Sequence, residues 1–326
     1  MSNRYADSPD PGHYNHTHRA LLQAFLSQSV MTFDELKPVI AEILIAHEPD
    51  REILVNDITQ QTVTSMVQTI NAHVNALDYE IRSTRNQNNR NLTYALVNGT
   101  SDPLTQIATS FTPDEIAYIK RLLDFMFETN NTKIREVMAV KGLKAVQLAK
   151  APPRNRQSQA AGDGDGDEES MATQAGPVIK SVLPNDAEKV LSQLVVQGFF
   201  DRSHAGYYSL APRALMELRT YLKETYNEPP GDEDEDDEPV TRIRDCEGCR
   251  EIVTVGLRCD NKECGVRWHD HCAMQYFRNQ QGSRRRCPKC KAEWEGETYV
   301  GEKADQAGGR RRTTNGQSSM IDEDDE

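Results

Sequence analysis

Apolar residues recur at helical spacing through the first part of the chain and then switch to alternation. Leu21, Leu22, Phe25 and Leu26 make one stripe of a first helix. Thr32, with Glu35 three residues on, is a capping box that opens a second helix, and Met31 and Leu36 are spaced to staple its start. Leu36, Val39, Ile40, Ile43 and Leu44 carry the helical period onward. A third helix starts near Asp57, with Met66, Val67, Ile70 and Val74 on one face. The period then falls to two: Tyr79 and Ile81, and after them Leu92, Tyr94 and Leu96, flank the polar turn RSTRNQNNR as the strands of a hairpin would.

The same order is predicted a second time. Thr112-Pro113-Asp114-Glu115 combines a cap, a proline at the first helical position and a capping box, and Ile116, Ile119, Leu122, Leu123 and Met126 supply a buried face. A further helix is expected from Ile134 to about Leu148. Another begins at Asn185, carries Val190, Leu191, Leu194 and Val195, and stops at Gly198. Phe199-Phe200 and Tyr207-Tyr208 flank the turn DRSHAG, and Leu215, Leu218 and Leu222 mark a closing helix. Three helices followed by a hairpin is the winged-helix order, so the pattern predicts tandem winged helices over residues 14–100 and 101–226. The Ala-, Gly-, Pro-, Gln- and Asp-rich stretch 151–177 is expected to be a disordered insertion in the second.

Composition adds boundaries and exclusions. The block PPGDEDEDDEP repels itself, which predicts an extended acidic linker over 227–239. Residues 1–13 are expected to be a disordered leader, and residues 301–326, with Arg310, Arg311 and Arg312, an unfolded tail. The chain carries 51 acidic and 38 basic side chains, a net charge of -13, which argues against coating DNA by simple electrostatics. Arg82, Arg85 and Arg90 are the residues a DNA-contacting first wing would use; at this net charge they read as a solvated turn on a protein-docking domain, and DNA contact as indirect. No apolar run approaches the roughly 18 residues of a membrane helix. The polar start of the sequence holds no signal core, so an intracellular setting is expected. DGDGDEES begins like a calcium loop, but Glu168 stands where the loop needs glycine and Gln174 where it needs glutamate.

All seven cysteines lie between Cys246 and Cys290. An odd number inside the cell fits disulfides poorly and fits eight metal ligands well once one histidine joins. In order, Cys246, Cys249, Cys259, Cys264, His269, Cys272, Cys287 and Cys290 are separated by two, nine, four, four, two, fourteen and two residues. Cysteines two residues apart on a tight turn reach one ion together. His269 has that spacing from Cys272, whereas His271 is its immediate neighbour and points elsewhere. Eight sulfur and nitrogen donors make two closed tetrahedral zinc sites, which are structural, over a domain expected at 240–300. So small a domain has little core of its own, and metal affinity supplies its folding energy.

This ligand order is shared by PHD fingers and variant RING domains. Arg285 stands where a PHD finger has tryptophan, whereas Pro288 inside the last ligand pair, Tyr276 four residues after the sixth ligand and Lys291 just after the eighth resemble a RING. Gly248 departs from it, standing where a RING has a bulky aliphatic that touches the conjugating enzyme. The resemblance implies a cross-brace, Cys246, Cys249, His269 and Cys272 on one ion and Cys259, Cys264, Cys287 and Cys290 on the other; spacing alone leaves sequential pairing open.

Two winged helices followed by a variant RING resemble the non-structural maintenance of chromosomes element 1 family, most closely from CEGCREIVTVGLRC through CPKCKAEW. The resemblance covers about residues 14–300 and implies an α+β multidomain chain. It implies winged helices that dock on a MAGE-domain partner and, with a kleisin, join a nuclear chromosome-maintenance ATPase complex serving DNA repair and recombination. It also implies a RING-type ubiquitin ligase without a catalytic side chain, whose Gly248, Tyr276, Pro288 and Lys291 meet the conjugating enzyme and ubiquitin. A RING of this kind works by holding thioester-linked ubiquitin in a near-attack pose. The alternative is a non-catalytic, zinc-stabilised assembly module of the same complex. A third reading is a histone-tail reader or DNA-binding regulator.

Overall fold

The computed structural model describes residues 13–99, 110–151, 180–228, 240–278, 280 and 285–306. Its first unit runs α1 (His16–Ser27), β1 (Val30–Thr32), α2 (Phe33–His47), α3 (Gln60–Val74), β2 (Tyr79–Arg85) and β3 (Leu92–Asn98). The capping box of α2 is formed: Thr32 Oγ1 accepts from the Glu35 amide at 3.3 Å and the Glu35 carboxylate accepts from the Thr32 amide at 2.7 Å. Leu21, Phe25, Leu36, Ile40, Val63 and Ile70 are wholly buried between the helices and an antiparallel sheet of order β1-β3-β2, which is a winged helix. Leu26, predicted on the buried stripe of α1, is 64% exposed instead.

The second unit repeats the order with α4 (Pro113–Asp124), β4 (Val140–Lys141), α5 (Gly142–Gln147), α6 (Pro184–Val196), β5 (Phe200–Arg202) and β6 (Tyr207–Leu210). Its sheet order, β4-β6-β5, matches that of the first. The helix expected from Ile134 to about Leu148 forms only in its second half. Residues 137–140 leave the helical path and bury in two directions: Val137 and Ala139 enter one apolar cluster, Met138 and Val140 another. Met138 at φ 45° also cannot continue a helix. The predicted closing helix is split at Leu218 into α7 (Pro212–Glu217) and α8 (Arg219–Tyr226).

Asn227–Glu228, placed by sequence in the acidic linker, form β7 and pair with β8 (Val240–Thr241); residues 229–239 lie outside the described residues. The 1–13 leader, apart from His13, and most of the 151–177 insertion also lie outside them, as does the tail from residue 307. Residues 301–306, expected to start that tail, instead return onto the second winged helix. Ala304 is buried beside Val137 and Tyr207, and the Tyr207 hydroxyl donates to Asp305 at 2.6 Å.

The cysteine-rich segment forms β9 (Gly256–Arg258), β10 (Arg267–Trp268), α9 (Asp270–Phe277) and β11 (Tyr299–Val300), with sheet order β10-β9-β11. Its apolar residues, among them Ile252, Val266, Phe277 and Trp294, join the core of the second winged helix in one continuous cluster. The first winged helix keeps a separate core; its apolar contact with the rest includes Ala95 and Val97 of β3, which pack on Met216 of α7.

Candidate metal centre

Two tight turns present the outer cysteine pairs in the same way. In the first, the Arg250 amide donates to the Cys246 carbonyl at 2.9 Å; in the second, the Lys291 amide donates to the Cys287 carbonyl at 3.1 Å. Arg250 and Lys291 both take left-handed backbone, at φ 63° and 62°, which closes each turn and aims both cysteines inward. The remaining ligands come from the ends of β9 and β10, the loop between them and the start of α9.

The donors gather in two groups. Cys246, Cys249, His269 and Cys272 bring their ligand atoms within 4.8 Å of one another, and so do Cys259, Cys264, Cys287 and Cys290. The groups interleave along the chain, which is the cross-brace and not the sequential pairing. His269 Nδ1 lies 3.2 Å from Cys249 Sγ, and its Nε2 is 3.2 Å from the Ile252 carbonyl. Donation of the Nε2 proton to that carbonyl leaves the Nδ1 lone pair for a metal.

The donor chemistry fits zinc. Around a tetrahedral ion with bonds of about 2.3 Å, sulfur atoms sit about 3.8 Å apart. Cys259 and Cys290 are 3.5 Å apart, and Cys264 and Cys287 3.7 Å. The Ala292 amide donating to Cys290 holds that thiol down at about 7. Burial opposes ionisation of Cys246, but the adjoining His269 ring and the amides of Cys249, His269 and Gly248 outweigh it and set the thiol at about 6. Burial and the neighbouring Cys246 and Cys249 push Cys272 up to about 12. Thiols that crowd one another in this way are a donor set that a divalent cation stabilises as thiolates. Around the four-cysteine group, Arg258 and Arg267 are buried against a single carboxylate, Glu136, and Arg244 is held close to both arginines and to Cys264. A tetrathiolate holding a dication carries two negative charges, which offset that positive excess.

The RING-like positions are arranged differently from what the motif alone implies. A Cβ at Gly248 would stand 2.9 Å from Trp268 Cζ3 and 3.2 Å from Cys272 Cβ, so the Trp268 ring fills the space a bulky aliphatic would need. Trp268 in turn packs on Tyr276, ring centroids 4.8 Å apart. Tyr276 and Met274 are exposed on α9, at 38% and 64%. The Lys291 ammonium turns back to donate to the Pro288 carbonyl at 2.7 Å. In the first wing, Arg82 pairs with Glu80 at 2.8 Å and Arg85 donates to the Arg90 carbonyl at 3.4 Å.

A family model described as the Nse1 non-SMC component of SMC5-6 complex matches residues 18–218. The chain belongs to the Nse1 family. A second model, a RING-like domain, matches residues 246–290, the span of the two quartets. Similar proteins include the non-structural maintenance of chromosomes element 1 homologs of Bos taurus and Homo sapiens, each 22% identical over 85% of this chain and 83% of the relative. The element 1 protein of Schizosaccharomyces pombe is 21% identical over 74% of this chain and 80% of its own length. A chain from a solved Nse1-Nse3-Nse4 complex shares the fold at a TM-score of 0.61 and 19% identity, covering 87% of this chain and 98% of that one. This Nse1-family chain thus joins two winged helices to a RING-like domain with two quartets that can hold zinc.

Sequence reasoning missed the residues that tie the RING-like domain to the winged helices: Gln87, Glu136, Arg258 and Arg267. Arg258 precedes a ligand and Arg267 sits between two, and both are buried at 2% exposure. An arginine alternating inward on a strand is a signal of a buried acidic partner, but Glu136 lay in a stretch read as helix.

Proposed function

We propose that this chain is the RING-type ubiquitin-ligase subunit of a nuclear SMC5-6-type complex acting in DNA repair and recombination. Its winged helices dock on the MAGE-domain subunit, and that pair joins a kleisin; the similar solved structure, an Nse1-Nse3-Nse4 complex, supports a three-subunit assembly of this kind. The observation that carries the reading is the closed cross-brace: every ligand position is filled by protein, so the two metals hold shape and do no chemistry. What such a domain offers is a rigid surface that presents a loaded conjugating enzyme, with Tyr276 and Met274 exposed on α9 and Lys291 beside the last ligand. The α3 helix has no lysine or arginine between Gln60 and Val74, which favours protein docking over a DNA-reading role.

The test is discharge of ubiquitin from a loaded conjugating enzyme by the full chain, alone and with the MAGE-domain partner. Discharge that requires the partner, and that Lys291→Ala slows several-fold with zinc content unchanged, supports the reading. Gly248, overlaid by Trp268, and the inward turn of Lys291 favour a second reading, a non-catalytic assembly module. No discharge in either condition, with the complex assembled and both metals bound, establishes that module instead.

A further inference from the structure

Gln87 sits at the tip of the first wing, and both ends of its amide bond the RING-like domain. Its Oε1 accepts from the Thr254 amide at 3.0 Å, the Val255 amide at 2.9 Å and the Thr254 hydroxyl at 3.2 Å. Its Nε2 donates to the Ile252 carbonyl at 2.8 Å. Two backbone donors on one side and a backbone acceptor on the other fix which end of the amide is oxygen. Ile252 and Thr254 are each 2% exposed, so the wing tip reaches buried groups of the RING-like domain.

The carbonyl that takes the Gln87 proton also takes a proton from His269 Nε2, at 3.2 Å, while His269 Nδ1 faces the first quartet. The position of that carbonyl therefore sets both the tautomer and the ring angle of the one histidine among the eight ligands. Conversely, the carbonyl is held from two sides, by the ligand it orients and by a residue of the first winged helix. A purely adhesive contact would need no such shared atom.

We propose that Gln87 is a positioning residue for the first metal quartet. The wing tip fixes the Ile252 carbonyl, and the carbonyl fixes His269, so the first winged helix holds the geometry of Cys246, Cys249, His269 and Cys272. The second quartet has no histidine and no contact with Gln87 among the described residues, so it is an internal control. The inference rests on the reading of both quartets as metal sites.

The experiment is cadmium-113 NMR of the full chain loaded with that metal. A three-sulfur, one-nitrogen site and a four-sulfur site resonate apart, so each quartet reports separately. Gln87→Glu keeps the acceptor toward Thr254 and Val255 but cannot donate to Ile252; Gln87→Met, of similar shape, makes none of the bonds. Both variants are expected to move or broaden the first-quartet signal alone, and chelator should strip that site about tenfold faster. In a His269→Cys background, where both sites are four-sulfur, Gln87→Glu is expected to leave the chelator stripping rates unchanged, since the ring it orients is gone. Signals and stripping rates left unchanged, or altered equally in both quartets, would overturn the proposal and leave Gln87 as a docking contact. A wild-type chain without two cadmium signals would overturn the metal reading, and the proposal with it.

Discussion

Arg267 of the RING-like domain grips both carboxylate oxygens of Glu136 of the second winged helix. Its Nε donates to Oε2 at 2.7 Å and its Nη2 to Oε1, while Arg258 Nη1 adds a bond to Oε1 at 3.0 Å. The cluster is almost free of solvent, with side-chain exposures of 1% for Arg258, 3% for Arg267 and 7% for Glu136. Such a group adds little net stability when complete but is costly to break, because it strands charge in the interior.

Glu136→Ala is therefore expected to destabilise the chain by about 3–5 kcal/mol. Thermal unfolding checks this. The loss should reach both the RING-like domain and the second winged helix, whose cores are continuous. A variant as stable as wild type would show that the arginines have found other partners.

Gly248 is a packing requirement as well as a departure from the RING pattern. Gly248→Ile would drive a branched side chain into Trp268 and Cys272. It is expected to lower melting temperature and to speed metal release from the first quartet, without strengthening conjugating-enzyme binding. Tighter enzyme binding with unchanged metal retention, by titration and chelator competition, would contradict the packing account.

Asp201 of β5 lies under the first wing, its carboxylate accepting from Asn86 Nδ2 at 3.4 Å. Burial pushes its carboxyl above the usual range, and the Asn86 bond only partly offsets this. The folded chain therefore keeps this proton to higher pH than the unfolded chain does. The contribution to stability is full below the ordinary carboxylate value and is lost as pH rises through the raised one. Asp201→Asn should melt higher than wild type at pH 7, and the gap should close near pH 4. A gap independent of pH would rule out the carboxylate as its cause.

The tandem winged helices were legible because their helices announce themselves locally. Capping boxes at Thr32 and Thr112 and apolar stripes such as Met66, Val67 and Ile70 are short-range signals. The eight ligand candidates were legible because cysteine clustering needs no fold to be seen; the interleaved grouping was implied by the RING resemblance, but spacing left sequential pairing open until the donors were seen in three dimensions. Residues 134–141 were misread because their non-helical path is imposed from outside. Glu136 is drawn to arginines more than a hundred residues away, and its neighbours alternate between two cores. The burial of Ala304 and the bond from Tyr207 to Asp305 are likewise tertiary: nothing in the polar run after Gly301 signals a partner on a distant wing.

The central claim is that two interleaved quartets each hold one zinc ion and so shape the RING-like domain. Native mass spectrometry of the full chain measures this directly. The account predicts two zinc ions per chain, and fewer in Cys272→Ser, which loses a ligand of the first quartet. A wild-type chain that carries no zinc yet keeps its folded near-ultraviolet signal would contradict it.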